Sequence, residues 1–331
     1  MKVSIFDVAK KAGLSVVTVS RVLNNASTVR EKNRQKVLQA MKELDYHPNA
    51  AARSLAKGKT GVIGMIVTTL QDSYLDNIVQ TVSVLLRDHG YYLALSVANH
   101  PLEEGAGSYL IQEDRVDGLL ILAAVDEEPY VMELKKRKIP FVLIDNQKNH
   151  PAVSSVTVDN FKGGYEAAKH LIDLGHRSIA HIQGPPYFLS ATERERGFMQ
   201  ALKEEGLEPF SLEPGEFTIQ SGYEVVQKWL AQGDLPTGLF AADDFTAIGA
   251  VNALRQAGLR IPDDISVIGY DDQALASELR PRLTTIRQPA VQMGKMAVDV
   301  LMKQINGVNK RSTTLKLNPE IIVRESTAPP Q

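Results

Sequence analysis

The stretch IFDVAKKAGLSVVTVSRVLNN, residues 5–25, reads as two short helices on either side of a turn. Ile5, Val8, Ala9 and Ala12 fall at i, i+3, i+4 and i+7, one face of a helix. Gly13 breaks that pattern where a positive φ is wanted after a helix. Ser15 suits the N-cap of a second helix over 16–24, with Val19, Val22 and Leu23 on its buried side. Two helices joined by a tight glycine-containing turn make a helix-turn-helix, whose second helix enters the major groove of DNA. A third helix is predicted from about Glu31 to Leu44, with Val37, Ala40, Met41 and Leu44 inward. Thr28 and Glu31 have capping-box spacing at its start.

Charge agrees with a polyanion partner for this end of the chain. Residues 1–60 hold 12 Lys and Arg against 4 Asp and Glu, a surplus of +8, which leaves the remaining residues at -10. On the second helix the outward residues are Val16, Val17, Thr18 and, one turn on, Arg21. Arg21 can donate two hydrogen bonds to the O6 and N7 of a guanine. Val16 and Val17 can read bases only by apolar contact, as with thymine methyl groups, unless one of them packs in the head's own core. Ser15, Thr18, Ser20 and Asn24 suit phosphate contacts, which set register rather than sequence.

From Gly61 onward apolar runs alternate with helical patterns: GVIGMIV, YLALSV, GLLILAA and FVLID, then, after residue 177, SIAHIQG, GLFAAD and SVIGY. Near-continuous apolar strands between helices indicate parallel sheets covered on both faces. Two such groups imply two doubly wound lobes with a crevice at the carboxyl ends of the strands. Neither G-x-G-x-x-G after a first strand nor G-x-x-x-x-G-K-[ST] occurs, so no cofactor is expected. The 331 residues contain no cysteine, which excludes a disulfide scaffold, a thiolate metal site and a cysteine nucleophile. No signal segment and no apolar run of membrane-spanning length is seen, so a cytoplasmic protein is expected. Catalysis has little support. The pairs Asp243/Asp244 and Asp271/Asp272 mimic acid–base partners, but neither H-E-x-x-H nor G-x-S-x-G is present.

The segment 5–25, followed by VREKNRQKVLQAMKELDYHPNAAARSLA (29–56), resembles the head and hinge of the LacI/GalR family of bacterial transcriptional regulators. The likeness continues in GYEAAKHLIDLGHRSIAHIQGP, RGFMQAL, ISVIGYDD and PRLTTIRQP, nearly the whole chain. It implies a small all-α helix-turn-helix head (1–46), a hinge helix and linker (47–60) and a periplasmic-binding-protein-like α/β domain (61–331). The lobes of that domain would be about 61–157 with 289–318, and about 158–288 with 319–331. In the hinge the resemblance places Asn49, Ala52 and Leu55 at the operator's minor groove, with Leu55 as a wedge. Pro48 and the helix-favouring run NAAARSLA are compatible with that role.

The resemblance also implies effector contacts at Asp72, Tyr74, Asp145, Ser190, Arg194, Phe217, Asp243, Asp271 and Gln288. Carboxylates, an arginine and an amide with an aromatic wall suit a sugar, the expected effector. Asp271 and Asp272 have a competing reading as helix caps, and Arg194 as the partner of a glutamate on its own helix. The recognition helix opens Val-Val where the lac repressor has Tyr-Gln, and Asp72, Tyr74, Phe217 and Asp243 also depart from that protein. A leucine-heptad tail is missing, so a homodimer repressing carbohydrate-use genes is expected. The alternative keeps the DNA-binding role but senses a nucleobase or a phosphorylated carrier protein. The purine-type pocket of the family has an arginine where this chain has Phe188, which weakens the nucleobase option. A transport-associated solute-binding protein or an enzyme is more remote.

Overall fold

Ser4 starts the first helix, α1 (Ile5–Ala12), through a reciprocal cap: its Oγ accepts from the Asp7 N–H, and its own N–H donates to Asp7 Oδ2 at 2.9 Å. Gly13, at φ 65°, ends it in the left-handed conformation that a glycine adopts without strain. Ser15 Oγ then accepts from the Thr18 N–H at 3.2 Å and opens α2 (Val16–Leu23). The third helix, α3 (Glu31–Glu43), departs from expectation at its start. Arg30 is its N-cap and makes no side-chain capping bond, so no Thr28–Glu31 box forms. Val8, Ala9, Ala12, Val19, Val22, Val37 and Ala40 are the buried centre of this head.

The structure, a computed structural model, describes residues 3–23, 26–47, 59–97, 106–111, 115–124, 127–148, 150, 152–308 and 311–331. Met1–Gly61 and Val62–Gln331 form separate compact units. The second unit is built on two six-stranded sheets. One contains β1 (Val62–Val67), β2 (Tyr92–Val97), β3 (Gly118–Leu122), β4 (Phe141–Ile144), β5 (Ser155–Val158) and β11 (Thr314–Leu317), in the order β11-β5-β4-β3-β1-β2. The other contains β6 (Ile179–Ile182), β7 (Leu212–Glu213), β8 (Gly238–Ala241), β9 (Ser266–Asp271), β10 (Thr284–Arg287) and β12 (Glu320–Ile322), in the order β12-β10-β9-β8-β6-β7. Every pairing is parallel except β10 with β12.

The central strands β3, β4, β6, β8 and β9 are buried along their whole length, because helices cover both faces. On the first sheet α4 (Ser73–Asp88) and α12 (Ala290–Ile305) close one face; α5 (Ala106–Ile111) and α6 (Glu128–Arg137) lie on the other. On the second sheet α7 (Asn160–Asp173) and α8 (Leu189–Glu204) cover one face, α9 (Ile219–Gln232) and α10 (Asp244–Gln256) the other, while α11 (Ala274–Glu278) follows β9. The chain passes to the second sheet after β5, returns with α12, and crosses again between β11 and β12. In each sheet the strand order reverses beside the first strand, which leaves a crevice outside the carboxyl ends. Among the described residues, no helix is long and apolar enough to cross a membrane.

Candidate effector cleft and DNA-reading helix

A cavity of about 560 Å3 lies between the carboxyl ends of the two sheets. Asp72, Tyr74, Asp145, Ser190, Arg194, Phe217, Asp243, Asp271 and Gln288 all line it. Five of them arrive by local logic: Asp271 ends β9, Asp145 and Gln288 directly follow β4 and β10, and Asp72 and Asp243 cap the helices after β1 and β8.

Arg194 is the most constrained of them. It is 3% exposed, and its guanidinium lies 3.6 Å from the centroid of the Tyr270 ring. It donates to Asn160 Oδ1 at 3.0 Å, to the Ala242 carbonyl at 2.6 Å and to Asp271 Oδ1 at 3.4 Å. The expected alternative, pairing with a glutamate of its own helix, belongs instead to Arg196, which meets Glu193. Gln288 Nε2 also donates to Asp271, at 2.6 Å. Gln288 Oε1 is buried without a protein donor, and so is an acceptor available to a ligand.

Burial dominates the protonation of Asp145, Asp243 and Asp271. It pushes Asp271 up to about 7, against the opposing pull of Arg194. It lifts Asp145 and Asp243 to about 6, although the Thr246 N–H, at 2.9 Å, bonds Asp243 and favours its charged form. Asp243 therefore caps α10 as well as facing the cavity, whereas α11, after Asp271 and Asp272, has no side-chain cap. Asp272 is engaged by Arg287 and Arg324. Tyr74 turns its hydroxyl onto Met293 Sδ at 3.3 Å, so its contribution to the cavity is its ring.

Sequence reasoning missed other lining residues, including Thr68, Thr69, Gln147, Tyr187, Glu216 and Phe245. Phe188 enters here as an aromatic wall, its ring 5.6 Å from that of Phe217. Most of these sit in loops beyond strand ends, where no periodic signal exists.

On the head, Val17 is 61% exposed and Arg21 is exposed, while Val16 packs against the head core. One valine is thus structural and the other presented. Ser15 is exposed and caps α2, with its Oγ 2.9 Å from that of Thr18; Thr18 and Ser20 are half-buried. Asn24, Asn49, Ala52 and Leu55 lie outside the described residues.

A helix-turn-helix head with an exposed arginine, and a two-sheet body with a polar cavity at its strand ends, define a DNA-binding regulator with a small-molecule input. Comparison with known proteins gives the family. Residues 4–49 match the family described as bacterial regulatory proteins, lacI family, and residues 168–327 match the periplasmic binding protein-like domain. The HTH-type transcriptional repressor PurR of Edwardsiella ictaluri is 38% identical over 330 residues, covering 98% of this chain and 97% of the relative. The crystal structure of the lac repressor dimer bound to operator and the anti-inducer ONPF superimposes with a TM-score of 0.89 at 31% identity, over 99% of this chain and 100% of that one. A complex of the transcriptional regulator CelR with cellobiose has a TM-score of 0.75, also at 31% identity, over 98% and 100%. The chain belongs to the lacI family of bacterial regulatory proteins. It is a DNA-binding transcriptional repressor, not an enzyme.

Proposed function

We propose that this repressor acts in the cytoplasm as a homodimer, that α2 of each subunit reads one half of a pseudo-palindromic operator, and that an effector in the cleft shifts operator affinity. The convergence of nine sequence-expected side chains on one cavity, from strand ends, loops and helices of both lobes, carries the reading. A ligand there touches both lobes, so it can bind two lobe arrangements unequally, the condition for shifting their populations. Exposed Val84 on α4, together with Tyr92 (80% exposed) and Leu95 on the edge strand β2, forms an apolar margin suited to a second subunit. The lac repressor dimer supports that assembly.

A donor-rich, flat effector fits the cleft best, and a nucleobase is the class placed first. The ionised carboxylates among Asp72, Asp145, Asp243 and Asp271 accept, as does the amide oxygen Gln288 Oε1, and Arg194 is already engaged. Phe188 and Phe217 supply ring faces, and the relatives bear the name PurR. The sugar expected from pocket chemistry has no support from those relatives. It stays as a second reading because Phe188 replaces the purine-type arginine and because CelR holds cellobiose.

The test is calorimetric titration with hypoxanthine, guanine and adenine beside ribose, glucose and cellobiose. Selection from a random DNA pool, with and without each compound, reads the output. A base that binds and changes enrichment of a palindrome upholds the proposal; a response to sugars alone replaces the effector class. Arg21→Ala should lose ~1–3 kcal/mol of discrimination at one guanine. Unchanged specificity in that variant removes α2 from base reading.

A further inference from the structure

The two lobes leave corresponding strands on the same short pattern, Asp145-Asn146-Gln147 directly after β4 and Asp271-Asp272-Gln273 from the last residue of β9. Both aspartates face the cavity, and both have positive φ, 53° and 103°. Both glutamines are buried, at 6% and 3% exposure. They do not end their bonding within their own lobe.

Gln147 Oε1 accepts from the Leu189 N–H at 2.9 Å. Leu189 is the first residue of α8, on the second sheet, and the N-cap of that helix, Phe188, makes no capping bond. Gln273 Oε1 accepts from the Ser73 N–H at 3.0 Å and from the Ser73 hydroxyl. Ser73 is the first residue of α4, on the first sheet, whose own cap Asp72 serves only Tyr74 and Leu75. Gln273 Nε2 donates to Asp72 Oδ1 at 2.7 Å, and the Ala274 N–H donates to Ser73 Oγ at 3.1 Å. Each glutamine therefore satisfies a first-turn N–H, one of the donors a helix leaves unpaired, on the helix of the opposite lobe.

The capped helices also carry cleft residues: Tyr74 on α4, Ser190 and Arg194 on α8. The Gln273 backbone is fixed in turn, since its N–H donates to the buried Asp244 at 2.6 Å and Asp244 accepts from Thr285 Oγ1 at 2.6 Å.

We infer that Gln147 and Gln273 are paired positioning residues, reciprocal helix caps across the cleft that hold the lobes together and tie closure to the ligand-facing aspartates two residues before them. Opening the cleft exposes two helix N–H groups and separates Gln273 from Asp72. Ligand contact at Asp145 or Asp271 and lobe closure are then one equilibrium. The inference uses the proposed effector cleft only to name what closure serves.

The chain contains no cysteine, so spin labels can be placed without background at Lys135→Cys in one lobe and Lys203→Cys in the other, both exposed. Doubly labelled full chain diluted into excess unlabelled chain, so that a dimer carries one labelled subunit, gives interlobe distance distributions without DNA or effector that read closure directly. Gln147→Ala and Gln273→Ala should each move population to longer distances, and the double variant further. Glutamate separates capping from packing. Gln147→Glu keeps the acceptor for the Leu189 N–H at a helix N-terminus, where negative charge is favoured, and gives up only the Nε2 bond to the Asp145 carbonyl inside its own lobe, so it should stay closer to the parent distance than Gln147→Ala. Gln273→Glu sets a second carboxylate against Asp72 and should open the lobes beyond Gln273→Ala.

Superimposable distributions for all the alanine variants, with folded circular dichroism spectra, overturn the inference. So does equal behaviour of the two glutamate variants, which carry the test alone if an alanine variant unfolds. Because no effector is present, failure of the titration panel leaves this result standing, and the converse holds.

Discussion

Replacing Arg194 with methionine keeps an unbranched side chain against the Tyr270 ring but removes three hydrogen bonds and the cation beside Asp271. Deleting one partner of a buried ion pair costs ~3–5 kcal/mol, chiefly because the other charge is left uncompensated. Here that penalty is capped. Asp271 already sits at about 7 through burial, with Arg194 opposing the rise, so losing the arginine lifts it further and it becomes neutral near pH 7. At pH 6 the cost should be at the low end, ~3 kcal/mol, from lost bonds and packing.

Above pH 7 the sign is fixed by the raised carboxyl. A group held above its unfolded value contributes stability that is present at low pH and lost as pH rises through its folded pKa. Arg194 halts that loss near pH 7 in the parent. Without it the loss continues upward, by ~1.4 kcal/mol for each unit that Asp271 moves. Urea unfolding of parent and Arg194→Met, at pH 6 and pH 8.5, measures the difference. A destabilisation equal at the two pH values would falsify the coupling between Arg194 and Asp271, and no destabilisation at all would remove Arg194 as the anchor of the cleft wall.

Other outcomes follow from single features. Asp145→Asn removes a carboxyl that burial raises from 3.8 to about 6, so the variant should be ~3 kcal/mol more stable at pH 7.5. That gain should vanish by about pH 4, and an advantage that grew on acidification would reverse the assignment. Gly164→Ala would place a Cβ 1.9 Å from the Arg194 carbonyl, backbone meeting backbone between α7 and α8. Overpacking of ~1–3 kcal/mol should exceed the ~1 kcal/mol that alanine gains in a helix, lowering the melting temperature; a rise shows that the helices part freely. His181 is fully buried, stacked 4.5 Å from Phe240, and held down to about 4 by burial. Its contribution is present above about pH 6.5 and lost as pH falls towards 4, so His181→Phe should flatten that part of the stability profile. An unchanged acid limb in calorimetry would assign the loss to other groups.

The head was legible because each device is local: Gly13 and Ser15 end one helix and begin the next within three residues. The Thr28–Glu31 pattern misled because Arg30 starts α3, while the box that does form, Ser4 with Asp7, has aspartate in the place where glutamate or glutamine is the usual signal. In the body, strands such as GLLIL and SVIGYD stand out because both faces are buried. The short, more polar edges TLKL and EII, half-exposed in the structure, do not. The cleft residues came from family likeness at strand-end and loop positions, and they line one cavity. What composition and spacing could not convey was partnership: that Arg194 bonds the Ala242 carbonyl, or that Gln147 and Gln273 cross between lobes, depends on segments tens to hundreds of residues apart.

The way the sheets are completed has a bearing on synthesis. The outermost strand beside β5 is Thr314–Leu317, and the one beside β10 is Glu320–Ile322, so one segment of nine residues finishes both lobes. While a ribosome is still making residues 159–313, β5 is a bare edge, and β10 joins it as a second before that segment arrives. Such edges are templates for pairing with other chains. Premature termination before Thr314 would therefore cost not one lobe but the outer strand of each, leaving a regulator whose DNA-reading helices are intact and whose sensing body is prone to stick to its neighbours.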